Sequence, residues 1–239
     1  PTDRQRRIFV GIGTGVAVLA AAVVLTMLVG RVAGLSDVPQ AAAGDSLSDG
    51  LVLPDDYQGW DSLKQFTPID DRKADPKPLT IREVFPRTLK NGKLTLKLSQ
   101  RKADVDCAAA VWGAELATRL NDAGCTQAVR GLYRSADGRY LAQYNFFDLS
   151  GVAGANEFVQ ALTTLHRGGW ARPLPGGFAR GGYSKASGHA MGHFAGLVWI
   201  GRADGGEPTA RDDFVTLSLT VRGVERAVFH RVVVADGGS

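Results

Sequence analysis

Hydrophobic and polar positions change rhythm several times along this chain, and each change predicts a different element. Residues 8–30 are mostly apolar and none of these 23 is charged. A bilayer core about 30 Å thick needs roughly 20 helical residues, so the run predicts one transmembrane helix. The other apolar stretches, 194–200 and 214–221, are too short to cross and belong in a folded core. Farther along, Leu94, Leu96 and Leu98 alternate with Thr95, Lys97 and Ser99, which predicts a half-buried strand over 93–101. The period then lengthens. Asp104 or Asp106 can cap a helix that places Ala108, Trp112, Leu116 and Leu120 on one face and ends at Gly124. Val129, Gly131 and Tyr133 lead to an Asp137-Gly138 hairpin signal, and the chain returns through Tyr140, Ala142, Tyr144 and Phe146. A second helix from Ser150 or Gly151 turns Val152, Phe158, Leu162 and Leu165 inward and stops at Gly168-Gly169. Strands over 183–191 and 193–202 follow.

This order predicts an α+β fold: an N-terminal transmembrane helix, then a split βαββαβ-like antiparallel sandwich with helices over one face of the sheet. The last part reads two ways. Val215, Leu217, Leu219 and Val221 alternate as in a strand, whereas Phe214, Leu217, Val221, Val224 and Val228 step as in a helix. The longer run favours an extra C-terminal helix, with Thr209 and Asp212 as its capping box. The Gly-rich stretch 176–182 precedes no helix start and reads as a loop rather than a phosphate cradle.

Charge adds orientation. Arg4, Arg6 and Arg7 precede the apolar run and Arg31 alone closely follows it, so the positive-inside rule puts the N-terminus in the cytoplasm and the rest outside. A cleaved signal peptide is the rival, with Ala41 and Ala43 as an A-x-A site. Signal cores are only about 7–15 residues and end near the cleavage point, which favours a retained anchor. Gly11 and Gly15 form a G-x-x-x-G that lets membrane helices approach closely, although glycine is common there. With seven residues ahead of the run, either an initiator Met has been removed or a longer cytoplasmic portion precedes Pro1.

The formal net charge of +4 conceals two unlike segments. Residues 35–77 carry nine acids against four bases, and 79–239 carry 20 bases against 14 acids. The expected organisation is a cytoplasmic stub (1–7), a transmembrane helix (8–30), an acidic, Pro-containing tether (31–78) and a basic α+β domain (79–239). Within the tether, Leu51, Leu53, Tyr57, Trp60, Leu63 and Phe66 are too apolar for a spacer, so part of 51–70 is expected to dock on the domain.

Candidate chemistry is sparse. Arg82, Arg87, Lys90, Lys93, Lys97, Arg101 and Lys102 form a basic cluster suited to an anionic partner. Outside a cell that partner is an anionic lipid or an acidic wall polymer rather than nucleic acid; the bland alternative is a charged strand edge that discourages pairing. His189 and His193 have the i, i+4 spacing of metal ligands, but the zincin glutamate is missing and the neighbouring glycines oppose a helix. Gly182-Tyr183-Ser184-Lys185-Ala186 only approximates a nucleophile elbow. The acid pairs Asp55-Asp56 and Asp70-Asp71 read as solubilising charge. No cofactor motif and no catalytic constellation is present in the sequence. Cys107 and Cys125 invite a disulfide outside the cell. A helix of about 16 residues between them would hold its ends about 24 Å apart, against the roughly 5.5 Å a disulfide needs. Bridge and free thiols therefore both stand, and the bridge requires a helix starting near Val111 with 107–110 folded back.

Cys107, Val111-Trp112-Gly113, Leu116, Leu120, Gly124-Cys125-Thr126-Gln127, Arg130, Tyr133 and Asp137-Gly138, together with the apolar run, resemble a group of actinobacterial single-pass membrane proteins with a small extracytoplasmic domain. Arginine outnumbers lysine 20 to 8, in keeping with a GC-rich genome. The resemblance covers about 107–140 and the anchor. It implies a location rather than an activity, and it favours a native cysteine pair. Three functions are then in competition: an anchored binding or adaptor domain with a protein or anionic partner, the outer half of a longer signalling or docking protein, and a wall-associated enzyme. A cleft gathering His189, His193 and an acid would revive the third.

Overall fold

The computed structural model describes residues 52–237. The predicted span 8–30, its Gly11/Gly15 spacing and the Ala41/Ala43 site lie outside the described residues. Among the described residues no helix is long and apolar enough to cross a membrane.

The chain enters through β1 (Asp56–Trp60) and a 3₁₀ turn (Lys64–Ile69). The one-turn helix α1 (Ile81–Val84) is opened by a Thr80/Glu83 capping box. Next come the hairpin of β2 (Thr88–Asn91) and β3 (Leu94–Asp104), a 3₁₀ turn (Cys107–Ala110), β4 (Val111–Trp112) and α2 (Ala114–Asp122). The second hairpin, β5 (Gln127–Ser135) and β6 (Tyr140–Asp148), leads to α3 (Val152–Leu165) and β7 (Trp170–Ala171). Strands β8 (Ser184–Met191) and β9 (Phe194–Arg202) precede α4 (Phe214–Val221), a 3₁₀ turn (Arg222–Glu225) and α5 (Arg226–Asp236).

Seven strands form one mixed sheet in the order β1-β8-β9-β6-β5-β3-β2, and β4 and β7 make a separate two-stranded ribbon. All neighbours in the large sheet are antiparallel except β1, which runs parallel to β8. The α+β class, the β5–β6 and β8–β9 hairpins and the C-terminal helix thus agree with the sequence reading, and the helix is realised as α4 and α5. The arrangement differs from the predicted sandwich in two respects. First, helices cover both faces. Val129, Tyr133, Tyr144, Phe146 and Val198 pack under Leu217, Val221 and Val228, while Ala128, Phe147, Leu197 and Trp199 pack under Leu116, Leu120, Phe158 and Leu162. Side chains alternate between the faces of a strand, so β6, buried along its whole length, needs a cover on each side. Second, β3 and β5 are antiparallel neighbours rather than members of a split parallel pair. Only β6-α3-β8 makes such a unit, with β9 inserted between its strands.

The excursion from β3 to β5 leaves and returns at one end of the sheet, where Asp104 stands opposite Ala128. Cys107 and Cys125 close its base as a disulfide, with Cα atoms 6.2 Å apart. The predicted long helix is therefore corrected: 107–110 fold back as a 3₁₀ turn, Trp112 belongs to β4, and α2 starts only at Ala114. The predicted Thr209/Asp212 capping box also gives way. Asp213 caps α4 through the Thr216 N–H, and Thr209 and Asp212 close a turn ahead of it.

The acidic segment is folded from residue 52 onward, so the tether boundary at 78 moves. The expected docking of 51–70 takes the form of a sheet strand. Gly59 and Gly188 stand opposite each other in β1 and β8, because a Cβ on Gly59 would lie 2.5 Å from the Val159 carbonyl of α3. The Tyr57 hydroxyl donates to that same carbonyl at 2.8 Å.

Candidate functional site

Three places hold the residues singled out from the sequence. The first is the β2–β3 edge. All seven predicted cations are exposed: Arg82 on α1, Arg87 ahead of β2, Lys90 on β2, Lys93 in the turn, and Lys97, Arg101 and Lys102 on β3. Thr88 faces Lys97 and Lys90 faces Thr95, so Lys90 and Lys97 share one side of the hairpin, and Arg134 stands across from Lys97 on β5. A bulge between Leu98 and Gln100 reverses the phase of β3 and sends Arg101 to the other side. Strand β2 covers β3 only as far as Lys97, leaving the outer edge of 99–104 without a strand partner among the described residues. Among the described residues Lys102 is the one member of the seven in an ion pair, with Asp104 at 2.8 Å. Asp104 is mainly the counter-ion of buried Arg130, whose Nη2 lies 2.7 Å away.

The second place separates the two histidines. The β8–β9 turn passes through Gly192 at φ +58°, where a side chain would collide with the Ile69 carbonyl. His189 lies before that turn and His193 after it, and they go to different surroundings. His189 is stacked under Trp60, its cross-strand partner, with ring centroids 4.9 Å apart, and its Nε2 meets Ser187 Oγ at 2.9 Å. Burial, helped by the nearby Arg222 charge, pushes its pKa down to about 3.

His193 is wholly buried, with Nδ1 3.1 Å from Asp148 and Nε2 3.5 Å from Asp75, the latter an ion-pair rather than a hydrogen-bond distance. Burial opposes its charged form, but the two carboxylates outweigh it and hold the pKa above the ordinary imidazole value. Asp75 is also held by Arg231 at 3.0 Å, and Arg231 continues to Glu83 at 3.1 Å and to the carbonyls of Lys77 and Pro78. Burial raises the Asp75 pKa, yet His193 and Arg231 together leave it below the usual carboxylate value. Arg72 adds contacts to Asp148 at 3.7 Å and to the Gly124 carbonyl at 2.8 Å.

This network pins 72–83 to the β6 end and to α5. It was not legible in the sequence, since its members are scattered from Arg72 to Arg231 without a spacing rule. Chemically it places an imidazole between two carboxylates, which favours its protonated form. The ring nitrogens point away from each other, so Asp75 and Asp148 lie on opposite sides of the imidazole. The described residues contain no group of three His, Cys, Asp or Glu side chains that could hold a metal ion. Ser184, the predicted weak elbow, opens β8, where its Oγ accepts from Trp199 Nε1 at 2.9 Å and its N–H donates to Asp55.

The third place is a groove of about 460 Å³ at the β1 edge, lined in part by Trp60, Leu63, Phe66, His189 and Phe229. Phe66 is buried and packs on Phe229 with centroids 5.1 Å apart, whereas Trp60 and Leu63 remain exposed. The sequence marked these residues as too apolar for a tether, but Phe229 joins them only through the packing of α5 on the Lys64–Ile69 turn.

No family model matches the chain, and no curated protein or solved structure shows detectable similarity to it.

Proposed function

We propose that this chain is a membrane-anchored extracytoplasmic binding or adaptor domain, held by residues 8–30 with its N-terminus in the cytoplasm, as in the actinobacterial single-pass proteins it resembles. The observation that carries the reading is the Cys107–Cys125 disulfide. Such bonds persist in oxidising compartments and are rare in the cytosol, which agrees with the topology given by the flanking arginines. The binding face in this reading is the basic β2–β3 edge, whose exposed cations suit an acidic wall polymer or an anionic lipid headgroup.

The test is cysteine labelling in intact cells, with and without a membrane-impermeant reductant, using a bulky maleimide that does not enter. The expected result is no labelling before reduction and two labels after it. Two labels that appear only after lysis, without reductant, would place the domain in the cytoplasm and overturn the reading.

A further inference from the structure

We infer that the β1 edge is a bilayer-docking face, on which Trp60, Leu63, Phe229 and Val233, with Lys64 beside them, seat in the headgroup region of the membrane that anchors the chain. The inference rests on the anchor reading above and names a second contact of the same protein. Trp60 is 42% exposed, Leu63 63%, Phe229 41% and Val233 70%. Trp60, Leu63 and Phe229 line one groove, and Val233 lies one helical turn beyond Phe229 on α5. Single exposed apolar residues are ordinary, but a contiguous group marks an interaction surface.

The position of this surface along the chain selects the occupant. Between Gly30 and Val52, where the described fold begins, lie 21 residues. A chain of that length reaches at most about 75 Å. The bilayer is therefore present at high effective concentration, and a tethered domain needs only weak contacts to stay on it. The chain joins the fold at buried Val52, four residues ahead of β1, and Trp60 is the last residue of that strand. An indole has an apolar body and one polar N–H, the combination that settles at a membrane–water interface. Lys64, exposed next to Leu63, offsets the exposed Asp61 carboxylate of the same groove, so the contact is carried by the apolar side chains rather than by charge. The basic β2–β3 hairpin lies at the opposite edge of the sheet, six strand spacings or about 29 Å away. Docking through β1 leaves that hairpin facing away from the bilayer, as an adaptor to an acidic polymer requires.

Tryptophan fluorescence gives a direct test. Of the four tryptophans, Trp112, Trp170 and Trp199 are buried, and residues 1–51 contain none. The full chain is reconstituted into phosphatidylcholine/phosphatidylglycerol vesicles with plain or acyl-brominated lipid and recovered by flotation. The expected result is quenched emission in brominated vesicles, with the quenched component absent from Trp60→Phe and reduced in the Leu63→Asp/Phe229→Asp variant, each checked for native circular dichroism. Equal emission from both lipids in a chain that floats with the vesicles would overturn the docking face while leaving the anchor intact. A chain that fails to float would overturn the anchor reading and this inference with it. Protection of Trp60 from acrylamide that rises with protein density in the vesicles, without bromine quenching, would assign the face to a second copy and also overturn the inference.

Discussion

His193 is held between Asp148 and Asp75, and the sign of its linkage to stability follows from that position. A histidine whose pKa is raised on folding contributes stability fully below its unfolded value of 6.5, and loses it as pH rises through the folded value. Asp75 has the opposite sense, since its lowered pKa contributes above 3.8 and is lost as pH falls through the folded value. The network is therefore strongest in mildly acidic solution. His193→Gln keeps a polar group for Asp148 but cannot carry the charge, and it is expected to cost about 1.5–3 kcal/mol at pH 5. The cost should shrink as pH rises through the folded-state pKa of His193, above 6.5. Thermal unfolding of both proteins across pH 4–9 measures this, and parallel curves would contradict the ion pairs. The i, i+4 spacing of His189 and His193 was legible in the sequence. Their separation was not, because it depends on a left-handed Gly192 turn packed against Ile69.

At the scale of elements, the β2–β3 hairpin combines an alternating strand with cations that leave its outer edge open. Alternation of Leu94, Leu96 and Leu98 was enough to place the strand, since one buried face repeats every two residues. The bulge was not readable, yet it decides which cations act together by placing Lys90 and Lys97 on one side and Arg101 on the other. If the hairpin binds acidic polymer, Lys90→Glu/Lys97→Glu should weaken retention on polyphosphate by at least tenfold at low salt, with unchanged melting. Arg101→Glu alone should have a smaller effect. Both effects should fade as the ionic strength passes about 0.15 M, where exposed charges are screened within about 8 Å. Equal retention of all variants in a sedimentation assay would leave the cations as protection of the strand edge alone. The helix between the cysteines illustrates the converse. Trp112, Leu116 and Leu120 are buried as their spacing implies, whereas Ala108 is only half-buried, because the disulfide imposes a fold-back where period counting continued the helix.

For the whole molecule, the main surprise is that an acidic segment read as tether supplies an edge strand, a turn that buries Phe66 and Ile69, and one side of the His193 network. A chain beginning at Asp61 would lose the burial of Val52 and Tyr57 and expose the β8 edge. The expected loss is about 3–6 kcal/mol from the two side chains, accompanied by self-association along the freed edge. Chemical denaturation and size-exclusion chromatography measure these, and an unchanged midpoint would show that β1 is dispensable. The sequence by itself determined strands β3, β5, β6, β8 and β9, the Asp137-Gly138 turn, α3 and the C-terminal helix, along with the uncharged run at 8–30, because periodicity and turn chemistry are local properties. It also identified the cysteine pair and the cations by residue type. Only the tertiary structure decided that helices cover both faces of the sheet, that β1 joins it in parallel, and that Asp75, Asp148, His193 and Arg231 meet. Those outcomes depend on which surfaces bury each other across 45 to 156 residues of chain, and a pattern that repeats every two or four residues carries no record of such distances.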